Sequence, residues 1–321
     1  MAWALIGAAS CGGADGSGGI DAGPGDDVDA MPGTLPDAGP APELPGVTNP
    51  QDVIDAVNAR LPAELQISFL GVPTGEDLDA ERARRGPRRA LVEVDEITTS
   101  GPGEIIVGVD AAQVGTIHPG TIIIDSRIRD GTSIEVGDVV LAHVEITDPD
   151  AGNLLVTRDA SDGLIVVNSY FHDSDADCFR PNDNETYLGN FVERLGRGPD
   201  SHADGFQTFF SDGSETIDNV DILANIIWMP RGVPIAGGGE YQTNRTMLFS
   251  NDVVDWVVAY NYLVAGNFAV EREASDDIRF LHNVFCHPDE CDSFGIRTGG
   301  PWTTDNWAGN TYKDGSPAPA D

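Results

Sequence analysis

Short apolar runs rich in β-branched residues recur along the chain from about residue 104, and turns of Gly, Asp and Asn separate them. Examples are EIIVGVD, GTIIIDSRI, VVLAHVEI, LLVTRD and LIVVNSYF. Runs of this length and composition are typical of β-strands, and the polar breaks between them are typical of tight turns. The pattern therefore predicts an all-β region over residues 104–321.

Asparagine recurs at the end of these apolar runs, before two or three more apolar residues. The positions are Asn168, Asn190, Asn225, Asn261, Asn283 and Asn310, at spacings of 22, 35, 36, 22 and 27 residues. Variable unit length with a constant strand motif favours a parallel β-helix, in which turns absorb insertions while successive coils pair at about 4.8 Å. Equivalent Asn residues can then stack as a ladder. The alternative is a β-sandwich with chance Asn turns.

One six-residue motif occurs twice in the chain, at an offset of 27 residues. DADCFR at 175–180 matches HADGFQ at 202–207, with Asp177 over Asp204. If the two segments are the same strand on successive coils, Phe179 and Phe206 lie one above the other in the core. Period-2 alternation then puts the polar residue after each Phe on the outer surface.

Polar side chains around this duplication form the candidate site. Alignment of Val270 and Ile296 with the two Phe residues predicts one outward column of Arg180, Gln207, Glu271 and Arg297. Carboxyl groups and imidazole can act as acid, base or nucleophile on a glycosidic bond, and Arg can neutralise a uronate. The catalytic candidates are His202, Asp204, Glu271 and Asp177. The substrate-binding candidates are Arg180, Gln207, Arg297 and, before a long turn, Trp228.

Alternatives exist for each part of this site. HADGFQ could be a turn, with Asp and Gly at the corner and Gln in an amide ladder. Asp175 and Asp177 could hold a Ca²⁺ ion, although the residue order of an EF-hand is absent. Cys286 and Cys291 are predicted to form a disulfide across a short loop, and a metal site with His282 and His287 is the alternative.

Several segments together resemble a known family. SHADGFQ, DILANII, VVAYNYLV, FLHNVF and the closing NWAGNTYKDGSP resemble secreted bacterial proteins of the pectin-lyase-like superfamily, over about residues 104–315. The resemblance implies a single-stranded right-handed parallel β-helix. It also implies an extracellular polysaccharide as partner, with a lyase or hydrolase activity. Because the superfamily includes lectin-like and adhesive members, a non-catalytic glycan-binding surface protein is the alternative.

The charge balance narrows the choice of partners. The chain has 53 acidic and 18 basic residues, a formal charge of −35, and a single lysine, Lys313. Such a surface repels nucleic acid and anionic membranes at long range. A polyanionic substrate would need a bridging cation such as Ca²⁺ or a local cluster of Arg. Solubility or adaptation to salt is an alternative reason for the charge.

The N-terminal residues predict export. Residues 1–11, MAWALIGAAS and then Cys11, resemble the end of a bacterial lipoprotein signal, with Cys11 as the lipidation site. Residues 12–46 are mostly Gly, Asp, Ala and Pro, with no aromatic residue and no cation, which is the composition of a disordered tether. We therefore expect an extracellular or cell-surface monomer that touches membrane only through a lipid.

Residues 47–103 are expected to form an N-terminal cap region. NPQDVIDAVNARL carries apolar residues at 53, 54, 57 and 61 after an Asn–Pro start, which predicts a short amphipathic helix. We expect this helix to cover the open N-terminal end of the coil, where exposed strand edges would template aggregation.

Overall fold

The structure is a computed structural model. It describes residues 43–148, 152–157, 162–198, 201–208, 216–235, 238–250, 252–264, 266–272, 277–287, 295–299, 302–303 and 306–319, without the side chains of 297–299. The predicted lipidation site Cys11, most of the predicted tether and the disulfide partner Cys291 lie outside these residues, and those predictions stay open.

Almost every element in the described residues is a strand. The helices are α1 (Pro50–Asn58) and α2 (Leu78–Ala83), with a 3-10 turn at Ala63–Leu65. Sheet A contains β1 (Val92–Ile97), β3 (Val109–Val114), β5 (Arg127–Ile128), β8 (Glu145–Asp148), β11 (Tyr170–Ser174), β14 (Phe191–Leu195), β18 (Ile226–Trp228), β22 (Tyr262–Val264), β25 (Val284–Phe285) and β28 (Thr311–Tyr312). Sheet B contains β2 (Ile105–Val107), β4 (Ile122–Ile124), β7 (Val140–Ala142), β10 (Ile165–Val167), β13 (Thr186–Leu188), β17 (Asp221–Leu223), β21 (Trp256–Ala259), β24 (Ile278–Leu281) and β27 (Trp307–Ala308). Sheet C contains β6 (Thr132–Ile134), β9 (Leu155–Thr157), β12 (Phe179–Arg180), β15 (Ala203–Thr208), β19 (Thr243–Phe249), β23 (Phe268–Arg272) and β26 (Gly295–Gly299). β16 (Ile217–Asp218) and β20 (Val253–Val254) form a separate pair.

The chain winds through the three sheets in a fixed order. It enters sheet B, turns into sheet A, continues into sheet C and returns to sheet B one coil further along. Every strand pairs in parallel with its counterpart in the next coil, as β4 pairs with β7 and β7 with β10. The fold is therefore a right-handed parallel β-helix, as the sequence predicts, and the β-sandwich alternative is excluded.

The interior of the coil is a continuous apolar stack. Phe179 of β12 pairs in register with Phe206 of β15, their ring centroids are 4.5 Å apart, and both side chains are fully buried. The predicted stacking of these two residues on adjacent coils is confirmed. It fixes the vertical alignment of the polar side chains beside them.

The Asn ladder is confirmed at five of its six predicted positions. From Asn225 onward, each Asn side-chain oxygen accepts the backbone N–H of the Asn one coil earlier, at 2.8–3.0 Å. The members are Asn190, Asn225, Asn261, Asn283 and Asn310. The assignment of Asn168 was wrong: its counterpart in the next coil is Gly189, and both have a positive φ. Ser169 takes the ladder position instead, and its N–H donates to the Asn190 side chain at 2.9 Å.

Residues 43–91, named here the flank segment, lie along the side of the coil and not over its open end. The buried side of α1, including Ile54 and Val57, packs on the outer face of sheet B against residues such as Val140 and Leu188. Sheet B is thus apolar on both faces, which explains its uninterrupted runs such as III in β4. The expectation that the helix covers the N-terminal end was wrong, because its apolar side is buried against the outer face of sheet B.

Polar contacts fix the flank segment at both ends of the coil. Arg60 donates to the carbonyl of Gly120 at 2.9 Å, in an early coil. Arg279 donates to the carbonyl of Gly46 at 2.7 Å, and Lys313 donates to that of Gly75 at 3.0 Å, both from late coils. The segment therefore spans the described length of the helix axis.

Candidate functional site

In the strands of sheet C, two residues adjacent in sequence point into the core. The polar side chains before and after that pair point outward. Cys178 and Phe179 are adjacent in sequence and both fully buried, and a Cβ added at Gly205 would lie 2.8 Å from Ile227 Cγ2 in the core. Strict alternation would put Asp177 on the same face as Phe179. It lies instead with Arg180, whose Nη2 donates to Asp177 Oδ2 at 2.9 Å. Two side chains of each coil therefore face the same outer surface.

Asp204 is the most buried carboxyl on this surface, with 1% of its area exposed. Its backbone N–H donates to Asp177 Oδ1 at 2.9 Å. Its own Oδ1 lies 3.8 Å from Arg245 Nη1 and has no hydrogen-bond partner within the described residues. Burial, and then the neighbouring Asp177 carboxylate, raise the pKa of Asp204 well above its usual range, against the opposing effect of Arg245.

Arg245 links the two halves of the surface and was not assigned a role from the sequence. It pairs with Asp204 in the register of β15 and β19, and its Nε forms an ion pair with Glu271 Oε2. Its coil has a long insertion before it, which hides the register in the sequence. We name the resulting array the charge ladder, and it consists of Asp177, Arg180, Asp204, Gln207, Arg245 and Glu271.

Most of the predicted column belongs to the charge ladder. Arg180 Nη2 donates to Gln207 Oε1 at 3.1 Å, so these two predicted neighbours are in contact. The alignment of Ile296 with Val270 was wrong, because the backbone of Val270 pairs with Arg297. Arg297 thus falls in the register of the stacked core positions, and its side chain lies outside the described residues.

Two other predicted residues lie elsewhere. Trp228 is in β18 of sheet A and packs half-buried against a cluster that includes Tyr262 and Phe191. His202 is exposed and lines a cavity of about 210 Å³. The cavity lies beside the start of β15, β19 and β23, and the charge-ladder side chains do not line it. The structure therefore separates His202 from the carboxyl groups that it was predicted to join.

A second polar cluster, on sheet A, was missed from the sequence. His172 is 9% exposed, with Nδ1 at 2.7 Å from Asp173 Oδ2 and Nε2 at 3.0 Å from Glu145 Oε1. The ring of Tyr170 stacks on the imidazole with centroids 4.1 Å apart. Burial alone would lower the pKa of His172, but the hydrogen bonds to Asp173 and Glu145 outweigh it and raise that pKa. The two carboxylates therefore favour the protonated imidazole more than water would.

Asp173 connects this imidazole cluster to the cavity. Its carboxylate accepts two bonds from Arg194, both at 2.9 Å, and one from the phenol of Tyr241 at 2.7 Å. Burial would raise the pKa of Asp173, but the bonds from His172, Arg194 and Tyr241 lower it well below its usual range. Burial and the bond to Asp173 raise the pKa of Tyr241 to about 12. The sequence signal was the His-Asp pair at the end of an apolar strand.

Both carboxylates of the predicted metal site already have partners within the protein. Asp175 Oδ1 accepts the N–H of Gly198, and Asp177 is paired with Arg180. Among the described residues, no group of three or more His, Cys, Asp and Glu side chains is placed to hold a metal ion. The structure adds nothing to the Ca²⁺ prediction.

The described residues contain no helix with both the length and the apolar character needed to cross a bilayer. Comparisons with known proteins add no identity, since no family model, curated protein or solved structure matches the chain.

Proposed function

We propose that the protein is an extracellular glycoside hydrolase that cleaves a polysaccharide along sheet C. The observation that carries this proposal is the carboxyl of Asp204, buried between carboxylates that are each paired with an arginine. A glycosidase needs one carboxyl held protonated as acid and a second, ionised one as base or nucleophile. Asp204 is the acid, and Glu271 or Asp177 is the second group.

The remaining charge-ladder side chains fit roles in binding. Arg180 and Gln207 lie in the same outer row, where they can donate to hydroxyl or carboxylate oxygens of a glycan. The sequence resemblance to the pectin-lyase-like superfamily supports this surface as a polysaccharide groove. The lipoprotein-like start at Cys11 and the acidic composition support secretion or attachment to the cell surface as a monomer.

The second candidate is a glycan-binding surface protein without catalysis. The low exposure of Asp204 favours it, because a general acid must come within hydrogen-bond reach of the leaving oxygen. In that reading, the neutral carboxyl of Asp204 fixes the strand while Arg180, Gln207 and Glu271 bind the glycan.

A panel of polysaccharides, read for new reducing ends and for the ultraviolet absorbance of unsaturated products, tests the proposal. Hydrolysis gives reducing ends alone, and elimination gives both signals. We expect Asp204→Asn and Glu271→Gln to lower kcat by about 100-fold or more. Asp95→Asn, at an exposed site on β1, is the control and should have no effect. Glycan binding without cleavage across the panel would favour the second candidate.

A further inference from the structure

We propose that the cavity beside sheet C is a subsite for one uncharged, hydroxyl-rich sugar unit. Its role as part of a polysaccharide groove rests on the proposed function, but binding of the sugar unit itself does not require cleavage. Its lining includes His202, Tyr241, Gln242, Thr243, Asn244 and Asn267.

The lining has the chemistry that recognises sugar hydroxyls. Three carboxamides, Gln242, Asn244 and Asn267, line the wall. Amides and hydroxyls each donate and accept hydrogen bonds, as every sugar hydroxyl does. The charged groups of the lining are opposite in sign, Arg231 against Glu240, so the cavity has no marked preference for an anion. This composition favours a neutral sugar over a uronate.

The wall is held by bonds that a ligand does not need to supply. The phenol of Tyr241 donates to Asp173, which Arg194 and His172 hold in turn. The backbone N–H of Gln242 donates to the carbonyl of Gly196 at 2.7 Å. Preorganisation of this kind lowers the entropic cost of binding.

One polar group at the cavity lacks a partner. Thr243 is 7% exposed, and its hydroxyl has no hydrogen bond within the described part of the chain. An unpaired buried hydroxyl is costly and rare in folded proteins. Asn267 Nδ2 donates to Asn244 Oδ1 at 3.2 Å beside it, which orients both amides. A sugar hydroxyl in the cavity would bond these amides, and rotation of the Thr243 side chain, whose hydroxyl is buried, would bring that hydroxyl into the set.

The cavity is continuous in sequence with the charge ladder. Thr243 and Asn244 directly precede Arg245 in β19, and His202 lies two residues before Asp204. A glycan chain bound across the ladder would therefore place one unit at the cavity. In this arrangement the cavity selects the sugar unit, and the charge ladder acts on the glycosidic bond.

The test is calorimetric titration of the full-length Asp204→Asn protein, in which turnover is suppressed. The ligands are neutral oligosaccharides of glucose, mannose and galactose, with oligogalacturonate as the charged comparison. We expect a neutral oligosaccharide to bind more tightly than oligogalacturonate. We also expect the added pair Asn244→Ala and Asn267→Ala to weaken that binding about tenfold.

Thr243→Val separates binding from folding. Because the hydroxyl is unpartnered, its removal should leave thermal stability unchanged or raised and still weaken sugar binding severalfold. Gln113→Ala, at an exposed amide on β3, is the control and should leave binding unchanged.

The outcomes distinguish this inference from the proposed hydrolysis. Absence of neutral-sugar binding, preference for oligogalacturonate, or equal affinity in the alanine pair would overturn the subsite. If wild-type protein cleaves no glycan but binding depends on Asn244 and Asn267, the hydrolase proposal fails and the subsite stands. If the protein cleaves glycans and the alanine pair leaves KM unchanged, the hydrolase proposal stands and the subsite fails.

Discussion

Asparagine at position 204 should stabilise the protein, and more strongly as the pH rises. The folded-state pKa of Asp204 is raised by burial and by Asp177. The folded protein then binds more protons at this site than the unfolded chain, so its stability falls as pH increases between the two pKa values. Asn cannot ionise and keeps the neutral shape, so the Asp204→Asn variant does not have this pH-dependent loss.

The magnitude follows from linkage. Below about pH 3.9, the pKa of an unfolded Asp, the difference in unfolding free energy between variant and wild type should be constant. Above it, the difference should grow by about 1.4 kcal/mol per pH unit, until the pH reaches the folded-state pKa. Asp204 is almost fully buried, so solvent screening does little to narrow the pH range over which the difference grows.

The assay is urea denaturation of both proteins followed by circular dichroism at several pH values from acid to slightly alkaline. The pH at which the difference stops growing reports the folded-state pKa of Asp204. Asp95→Asn, which replaces an exposed carboxyl on the same molecule, is the control. A difference for Asp204→Asn that does not change with pH would refute a neutral Asp204.

Three further predictions test the scaffold. Asn225→Ala removes a fully buried amide from the Asn ladder and should cost about 3 kcal/mol in denaturation, whereas Asn219→Gly, which breaks an exposed Asn–Asn bond at a positive-φ position, should cost far less. Phe179→Ala leaves a cavity in the aromatic stack and should cost about 3–5 kcal/mol by the same measurement. Asp173→Asn should destabilise the protein at neutral pH, because the bonds that lower the pKa of Asp173 stabilise its ionised form. The difference in stability from wild type should shrink below about pH 3.9, where the stabilisation from the ionised carboxylate is lost.

The stacking of equivalent residues on successive coils could be predicted from the sequence where the two coils differ little in length. The 27-residue offset was enough to stack Phe179 on Phe206, because strands of equal pattern must pair in register to keep their apolar side inward. Asn168 was misplaced because the ladder position is defined by the positive-φ residue before it, and Asn itself tolerates that conformation.

The candidate site could be predicted only in part. Asp177, Arg180, Asp204, Gln207 and Glu271 come together as expected. Arg245 was not assigned, since long insertions before its strand conceal which residue faces Asp204. The imidazole cluster was missed for a different reason: the His172-Asp173 pair is visible in the sequence, but nothing in the sequence shows that Glu145 of another coil contacts the imidazole.

The flank segment should change the way in which the protein unfolds. Stacked coils that touch only their neighbours can peel away one at a time from either end. Here a single stretch of chain is tied at Gly46 and Gly75 to late coils and at Arg60 to an early one. Loss of a terminal coil must also release this tie, so fraying is opposed and the whole spiral should melt as one cooperative unit.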